Sequence, residues 1–110
     1  MAYVLFVRIE SDLEPAELER RALERRPQFR EAPGLVQKIY GRDESDSFCG
    51  VYFFESPEAL EAYRGSGLAR TIPSAYEATE VRVEAYDVLY PLWPDRGPLD
   101  GFEDAGDDSP

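Results

Sequence analysis

The side chains that could carry out acid–base chemistry in this chain are tyrosines, lysine and arginines, because its 110 residues include no histidine. Zinc, haem and non-haem iron sites usually need histidine or cysteine ligands, and a Ser-His-Asp triad needs histidine. The only cysteine, Cys49, lies in an apolar run and is predicted to be a small buried side chain. No glycine-rich phosphate-binding loop is present. The sequence therefore predicts no metal ion and no cofactor.

Charge and hydropathy exclude further classes of function. The net charge of −11 argues against nucleic acid, whose phosphates need lysine and arginine. No apolar run approaches the roughly 20 residues of a membrane span, and the first residues lack the basic start of a signal peptide. A cytoplasmic protein is expected. Residues 1–94 are predicted to form one domain, and the acidic, Gly- and Pro-rich residues 95–110 to form a mobile tail.

The elements that must position these side chains follow from hydrophobic periodicity and turn signals. Strands are predicted at Tyr3–Glu10, Leu35–Tyr40, Phe48–Phe54 and Thr79–Leu89. A first helix is predicted to open at Pro15, and a second at Ser56–Pro57, which ends at the Gly65-Ser66-Gly67 break. The order βαββαβ predicts a ferredoxin-like α+β fold, a four-stranded antiparallel sheet with helices on one face.

The first helix carries a narrow inward stripe at heptad spacing. Its members are Leu18, Ala22, Arg25 and Phe29. The many arginines of its C-terminal half are interpreted as a solvated face paired with glutamates. Pro27 is predicted to kink this helix or to end its regular part.

The sheet face without helices is predicted to mix aromatic and charged side chains. Its predicted members are Phe6, Arg8, Lys38, Tyr40, Tyr52, Phe54, Arg82, Glu84, Tyr86 and Val88. Such a face is too apolar for open solvent. Face-to-face pairing of two sheets would bury it, so a homodimer is expected.

Three motifs carry a resemblance to a known family. They are Pro33-Gly34-Leu35-x-x-Lys38-Ile39-Tyr40, Gly50-Val51-Tyr52-Phe53-Phe54 and Tyr86-Asp87-Val88-x-x-Pro91-Leu92. With the element order from Tyr3 to Leu92, the chain resembles the YdhR family of monooxygenases. This resemblance implies a dimeric α+β barrel, in which two ferredoxin-like subunits join their sheets. That superfamily includes cofactor-free monooxygenases of aromatic polyketides and quinols. Its haem-handling members usually present a histidine, so the resemblance does not imply haem here.

The activity implied by the resemblance needs a ring-binding site and a group that stabilises an anion. Lys38, Tyr40, Tyr52, Phe54 and Tyr86 are the predicted substrate-binding residues. The pocket is expected under the second helix at the glycine break, with Tyr63 and Arg70 as catalytic residues. Tyr63 would orient a substrate hydroxyl, and Arg70 would stabilise the anion formed before oxygen attack. Two alternatives remain: a non-catalytic module that binds a small ligand, and a structural dimer with a solid core.

Overall fold

A computed structural model of the chain describes residues 2–90 and Leu92. The elements are β1 (Ala2–Ser11), α1 (Pro15–Arg30), β2 (Leu35–Arg42), β3 (Phe48–Phe54), α2 (Pro57–Arg64), α3 (Gly67–Arg70), α4 (Ile72–Ala75) and β4 (Ala78–Asp87). The strands form one antiparallel sheet in the order β2-β3-β1-β4. The predicted α+β, ferredoxin-like fold is therefore confirmed. The predicted tail at residues 95–110 lies outside the described residues.

Local sequence signals explain where α2 begins. Ser56 accepts a hydrogen bond from the backbone N–H of Ala59 at 3.1 Å, and Pro57 occupies the first turn. A serine N-cap followed by proline is a strong helix start, since it satisfies an otherwise unpaired N–H and presets φ. The buried side chains of this helix are Leu60 and Tyr63. No helix among the described residues is long and apolar enough to cross a membrane.

Helix α1 contains Pro27, where the sequence predicts a kink or the end of the regular helix. The helix continues through this proline to Arg30 rather than ending near it. Proline removes one intrahelical hydrogen bond. The predicted inward stripe is buried on both sides of Pro27, at Leu18 and Ala22 before it and at Phe29 after it. Burial of that stripe outweighs the loss of one hydrogen bond, so the helix persists.

The core lies between the helices and one face of the sheet. On β1 this face carries Leu5, Val7 and Ile9, all at most 5% exposed. Leu5 pairs with Tyr52 of β3, and Tyr52 pairs with Lys38 of β2. Directly opposed residues of antiparallel strands share a face. Lys38 and Tyr52 therefore lie on the helix-covered face.

This register corrects the predicted composition of the open face. Lys38, Tyr40, Tyr52 and Phe54 belong to the helix-covered face, whereas Phe6, Arg8, Arg82, Glu84 and Tyr86 lie on the open one. Val88 follows the end of β4 and belongs to neither. Strand β3 is apolar on both faces, with five of its seven residues buried. Its sequence pattern therefore could not reveal which alternate residues point to the helices.

Candidate functional site

An aromatic cluster occupies the helix-covered face beneath α1 and α2. Its members are Phe29, Tyr52, Phe54 and Tyr63, with ring centroids 5.2–6.2 Å apart. The Tyr63 hydroxyl donates to the Tyr52 hydroxyl at 3.3 Å. Burial raises the pKa of both phenols above the ordinary value of tyrosine. Both are therefore neutral at physiological pH and can donate or relay a hydrogen bond.

Lys38 places its ammonium group inside a cage of aromatic rings. Its Nζ lies 3.4 Å from the ring centroid of Phe29, 4.3 Å from that of Tyr40 and 4.5 Å from that of Tyr52. Ion pairs between described residues are made by arginines, and Lys38 makes none. It is also the only lysine in the chain. The cage therefore holds the amino group by ring faces alone.

The environment of Lys38 weakens its hold on a proton. Burial lowers the pKa of its amine to about 6, and the positive charge of Arg25 on α1 adds to the effect. The three ring faces oppose this shift, because their electron density stabilises an ammonium. Tyr40 and Tyr52, whose rings form part of the cage, stay neutral because burial raises the pKa of each. Lys38 is thus a cation that can lose its charge near neutral pH.

Tyr40 adds a polar atom without a partner. Its hydroxyl is buried and makes no hydrogen bond in the structure. Burial also raises its pKa, so the group remains a neutral phenol. An unsatisfied buried hydroxyl costs free energy until something bonds to it. A ligand hydroxyl is one group that could do so.

Two cavities meet at these side chains. An interior cavity of about 10 Å³, close to the volume that a single water needs, lies under the helices, and an open cleft of about 320 Å³ lies between α1 and β2. Phe29, Lys38 and Tyr40 line both. These three side chains therefore form the wall between the core and the cleft, here called the cleft wall.

Three basic residues line the cleft although the protein is acidic. Arg26 and Arg30 line it together with Lys38, and no acidic residue among those described lines it. The two arginines are four residues apart on α1, so they share one helix face. Leu35 and Val36 complete an apolar floor. This combination suits a planar apolar ligand that carries or develops negative charge.

A second groove lies where the sequence predicts the pocket. It has a volume of about 670 Å³ and runs between the end of α1 and the break that follows α2. Tyr63, Ser66 and Gly67 line it, but Arg70 does not. Arg70 is exposed and donates a hydrogen bond to the carbonyl of Gly65. The structure therefore does not place Arg70 beside Tyr63 in this groove.

The structure brings together most of the predicted site residues, but not all of them. Lys38, Tyr40, Tyr52, Phe54 and Tyr63 lie in or against one aromatic cluster. Tyr86 lies on the open face, is 48% exposed and donates to Glu84. No group of three or more metal-ligating side chains occurs among the described residues.

Sequence reasoning missed three residues of the cleft. Phe29 was assigned only to the core stripe of α1, and Arg26 and Arg30 to a solvated face. The signal that could have found Phe29 is its heptad spacing, which aims it at the same face as the β2 and β3 aromatics. For the arginines, sequence gives no comparable signal, because whether a helix face is solvated depends on where β2 ends beside it.

An α+β sandwich with a cleft between helix and sheet is the class of protein that the fold and these side chains define. The chain belongs to the family described as "Putative mono-oxygenase ydhR", whose model matches residues 4–93. A comparison with curated proteins gave no match.

Solved structures with the same fold include SnoaB from Streptomyces nogalater, a cofactor-independent oxygenase. It is 18% identical, has a TM-score of 0.66 and aligns 86% of this chain with 100% of its own. A "putative antibiotic biosynthesis monooxygenase" from Deinococcus radiodurans is 13% identical, with a TM-score of 0.65 and coverage of 84% and 96%. NE2512 from Nitrosomonas europaea, a protein of unknown function, is 18% identical, with a TM-score of 0.66 and coverage of 86% and 95%. At these identities the likeness concerns the fold alone.

Proposed function

We propose that this member of a monooxygenase family is a cofactor-independent enzyme that oxidises a small aromatic substrate of the hydroquinone or anthrone type. The observation that carries the proposal is the cleft wall. There the amino group of Lys38, surrounded by rings, and a buried hydroxyl without a partner border an open cleft. A phenolic ring could stack on Phe29 and Tyr40 and offer its hydroxyl to the polar atoms.

In such a reaction the substrate itself supplies the electrons. An anthrone loses two hydrogens from one ring carbon, gains one oxygen atom from O₂ and releases the other as water. The protein must bind the ring, assist its ionisation and stabilise the resulting anion. Arg26 and Arg30 line the cleft and supply the cations that such an anion requires. The family match and the fold shared with SnoaB support this chemistry.

The other predicted residues take different positions in the proposal. Tyr52 and Tyr63 form a hydrogen-bonded pair behind the cleft wall, where they hold Phe29 in place and can relay a proton. Phe54 supports Tyr63 by packing. Arg70 lines neither the cleft nor the groove, so we assign anion stabilisation to the cations of the cleft instead.

The purified protein is expected to consume oxygen when supplied with a suitable hydroquinone or anthrone. The measurement is oxygen uptake over a panel of such compounds, with a chelator present and no flavin added. When an anthrone is oxidised under ¹⁸O₂, one ¹⁸O atom should appear in the quinone product. Binding of several panel compounds without any oxygen uptake would contradict catalysis and favour a ligand-binding module.

Tyr40→Phe provides the matched variant for this assay. Loss of the hydroxyl should raise KM about twofold to tenfold, the effect of about 0.5–1.5 kcal/mol for one hydrogen bond. Tyr90→Phe is the control, because Tyr90 is exposed and lies beyond β4. An unchanged KM for Tyr40→Phe would place the substrate hydroxyl elsewhere, with the groove beside Tyr63 as the next candidate.

We also propose that two copies of the chain pair through their open sheet faces. Cross-strand pairs Phe6–Val51 and Val4–Phe53 lie on this face and are only partly buried. Tyr86 adds further exposed apolar surface. Symmetric pairing would bury this surface in an isologous interface.

Sedimentation near neutral pH is expected to give a homodimer at micromolar concentration. Phe6→Glu should shift the protein to monomer, because it would bury two unpaired charges across the symmetric interface. Leu23→Glu is the control, since Leu23 is exposed on the outer side of α1. A wild-type monomer, or a Phe6→Glu variant that dimerises as well as wild type, would contradict pairing through this face.

A further inference from the structure

We propose that Lys38 is the general base of the reaction, an amine in the cleft wall that removes the phenolic proton of the substrate. The inference rests on the proposed function and adds to it the residue that starts the chemistry. It stands on the position of the amine, on the charges around it and on the absence of a better base in the described part of the cleft.

Position is the first argument. Lys38 lines the open cleft as well as the interior cavity, and its Nζ lies against the ring faces of Phe29 and Tyr40, which line both cavities as well. The amine sits 4.3 Å from the ring centroid of Tyr40, whose hydroxyl has no partner. The Lys38 amine and the Tyr40 side chain therefore belong to the same wall of the cleft, beside which the substrate is proposed to bind.

The surrounding charges are the second argument. Cations face the cage from α1, where Arg25 stacks on Phe29 and where Arg26 and Arg30 line the cleft. Tyr40 and Tyr52 face it from the sheet, Tyr63 from α2, and Tyr76 from the segment after α4. No carboxylate of residues 2–90 pairs with Lys38. A lysine among cations and neutral phenols loses its proton readily. The lowered pKa of the Lys38 amine agrees with this expectation.

Competing bases are the third argument. No described residue lining the cleft carries a carboxylate, and the chain has no histidine. Burial holds the tyrosines of the cluster in their neutral form, which cannot accept a proton from another phenol. Arginine remains charged at any pH the protein survives. Lys38 is thus the one side chain described in the cleft wall that can take up a proton.

The step conserves atoms and charge. The lone pair of Nζ takes the hydroxyl proton; the O–H bond breaks and an N–H bond forms. The products are a phenolate and an ammonium in contact, both formed from neutral groups. The three ring faces stabilise the new ammonium, and the arginines of the cleft stabilise the phenolate. Electron transfer to dioxygen follows from that phenolate.

The titration of Lys38 can be observed directly, because it is the only lysine. Protein labelled with ¹⁵N-lysine should give one side-chain amine signal by NMR. The midpoint of the pH titration of this signal is expected near pH 6. A titration midpoint near that of a free lysine would overturn the proposal even if the enzyme turns over.

Kinetics test the role itself. Lys38→Met, which roughly keeps the length of the side chain, is expected to lower kcat by about 10²–10⁴-fold. The wild-type kcat/KM should rise with pH through about 6 and then level, and this limb should be absent in Lys38→Met. Added methylamine should restore part of the rate in Lys38→Ala. Arg64→Gln is the control, because Arg64 is exposed on α2 and lines neither the cleft nor the groove.

The outcomes separate this proposal from the function on which it rests. Turnover by wild type with full activity in Lys38→Met would overturn the base and leave the oxygenase standing. No turnover by wild type on any phenolic substrate would overturn both. A lost rate in Lys38→Met with methylamine rescue in Lys38→Ala would support both, since a purely structural lysine would not be replaced by a free amine.

Discussion

Gly34→Ala is expected to lower the free energy of unfolding by about 2–5 kcal/mol, although it adds a single methyl group. Gly34 has a φ of 78°, in the left-handed region where a residue with a Cβ is strained by about 1–2 kcal/mol. A Cβ at this position would also lie 2.4 Å from the Cβ of Ala59 in α2. Forcing extra atoms into such a contact typically costs about 1–3 kcal/mol more.

The position of Gly34 explains why this cost matters for the site. Its carbonyl accepts a hydrogen bond from the N–H of Glu55 at 2.8 Å, which ties the start of β2 to the end of β3. The same residue touches α2, which carries Tyr63. A displaced α2 would move Tyr63 from its hydrogen bond with Tyr52. The variant should therefore lose stability and alter the aromatic cluster together.

Chemical denaturation with two further variants isolates the cause. Gly41→Ala, in the strand that follows Gly34, is the matched control, since no atom lies within 4 Å of the Cβ it would add. Gly34→Ala combined with Ala59→Gly should recover the contact part of the loss, less about 1 kcal/mol for glycine in a helix. Equal stability of Gly34→Ala and Gly41→Ala would show that neither strain nor contact operates at Gly34.

Local sequence signals predicted the parts of the fold that depend on neighbouring residues. Ser56 and Pro57 predicted the start of α2, and Leu35 was predicted to begin the second strand, as it does in β2. In β1 the apolar residues Leu5, Val7 and Ile9 alternate along the strand and all lie buried under the helices. Such signals work because a cap, a turn or a half-buried strand is specified by residues a few positions apart.

Signals that depend on pairing between distant residues failed. The face of Lys38 follows from its register with Tyr52, and that register is set through β1 rather than by any residue near Lys38. A shift by one residue moves every side chain to the other face. The residue types of the site were therefore predictable, whereas the cage around Lys38 was not. Arg70 shows the converse, because its proximity to the glycine break does not bring it into the groove.

Lys38→Met is expected to stabilise the protein at neutral pH, by about 1–3 kcal/mol. Lys38 buries a group that would be charged in the unfolded chain, where its pKa is about 10.4, and the folded structure lowers that pKa to about 6. Folding at neutral pH must therefore remove a proton from it or bury its charge. Methionine fills a similar volume without that cost. The ring faces and the partial exposure of Lys38 reduce the gain below that of a fully buried charge.

The pH dependence has a definite sign. Between pH 6 and about 10.4 the unfolded chain binds more protons at Lys38 than the folded chain, so the contribution of Lys38 to stability rises with pH. The limiting slope is about 1.4 kcal/mol per pH unit for one proton. This contribution is complete above pH 10.4 and is lost as the pH falls to 6. The tyrosines with raised pKa act oppositely, since they withdraw stability only above about pH 10.

Urea denaturation of wild type and Lys38→Met at pH 6.5 and pH 9 measures this effect. The stability advantage of methionine should be larger at pH 6.5 and should shrink by about 1–3 kcal/mol at pH 9. All other ionisable groups are common to the two proteins and cancel in the difference. A constant difference between the two pH values would mean that Lys38 keeps an ordinary pKa when folded. A catalytic amine is expected to destabilise the fold in this way, because the environment that favours its uncharged form also opposes its charged form.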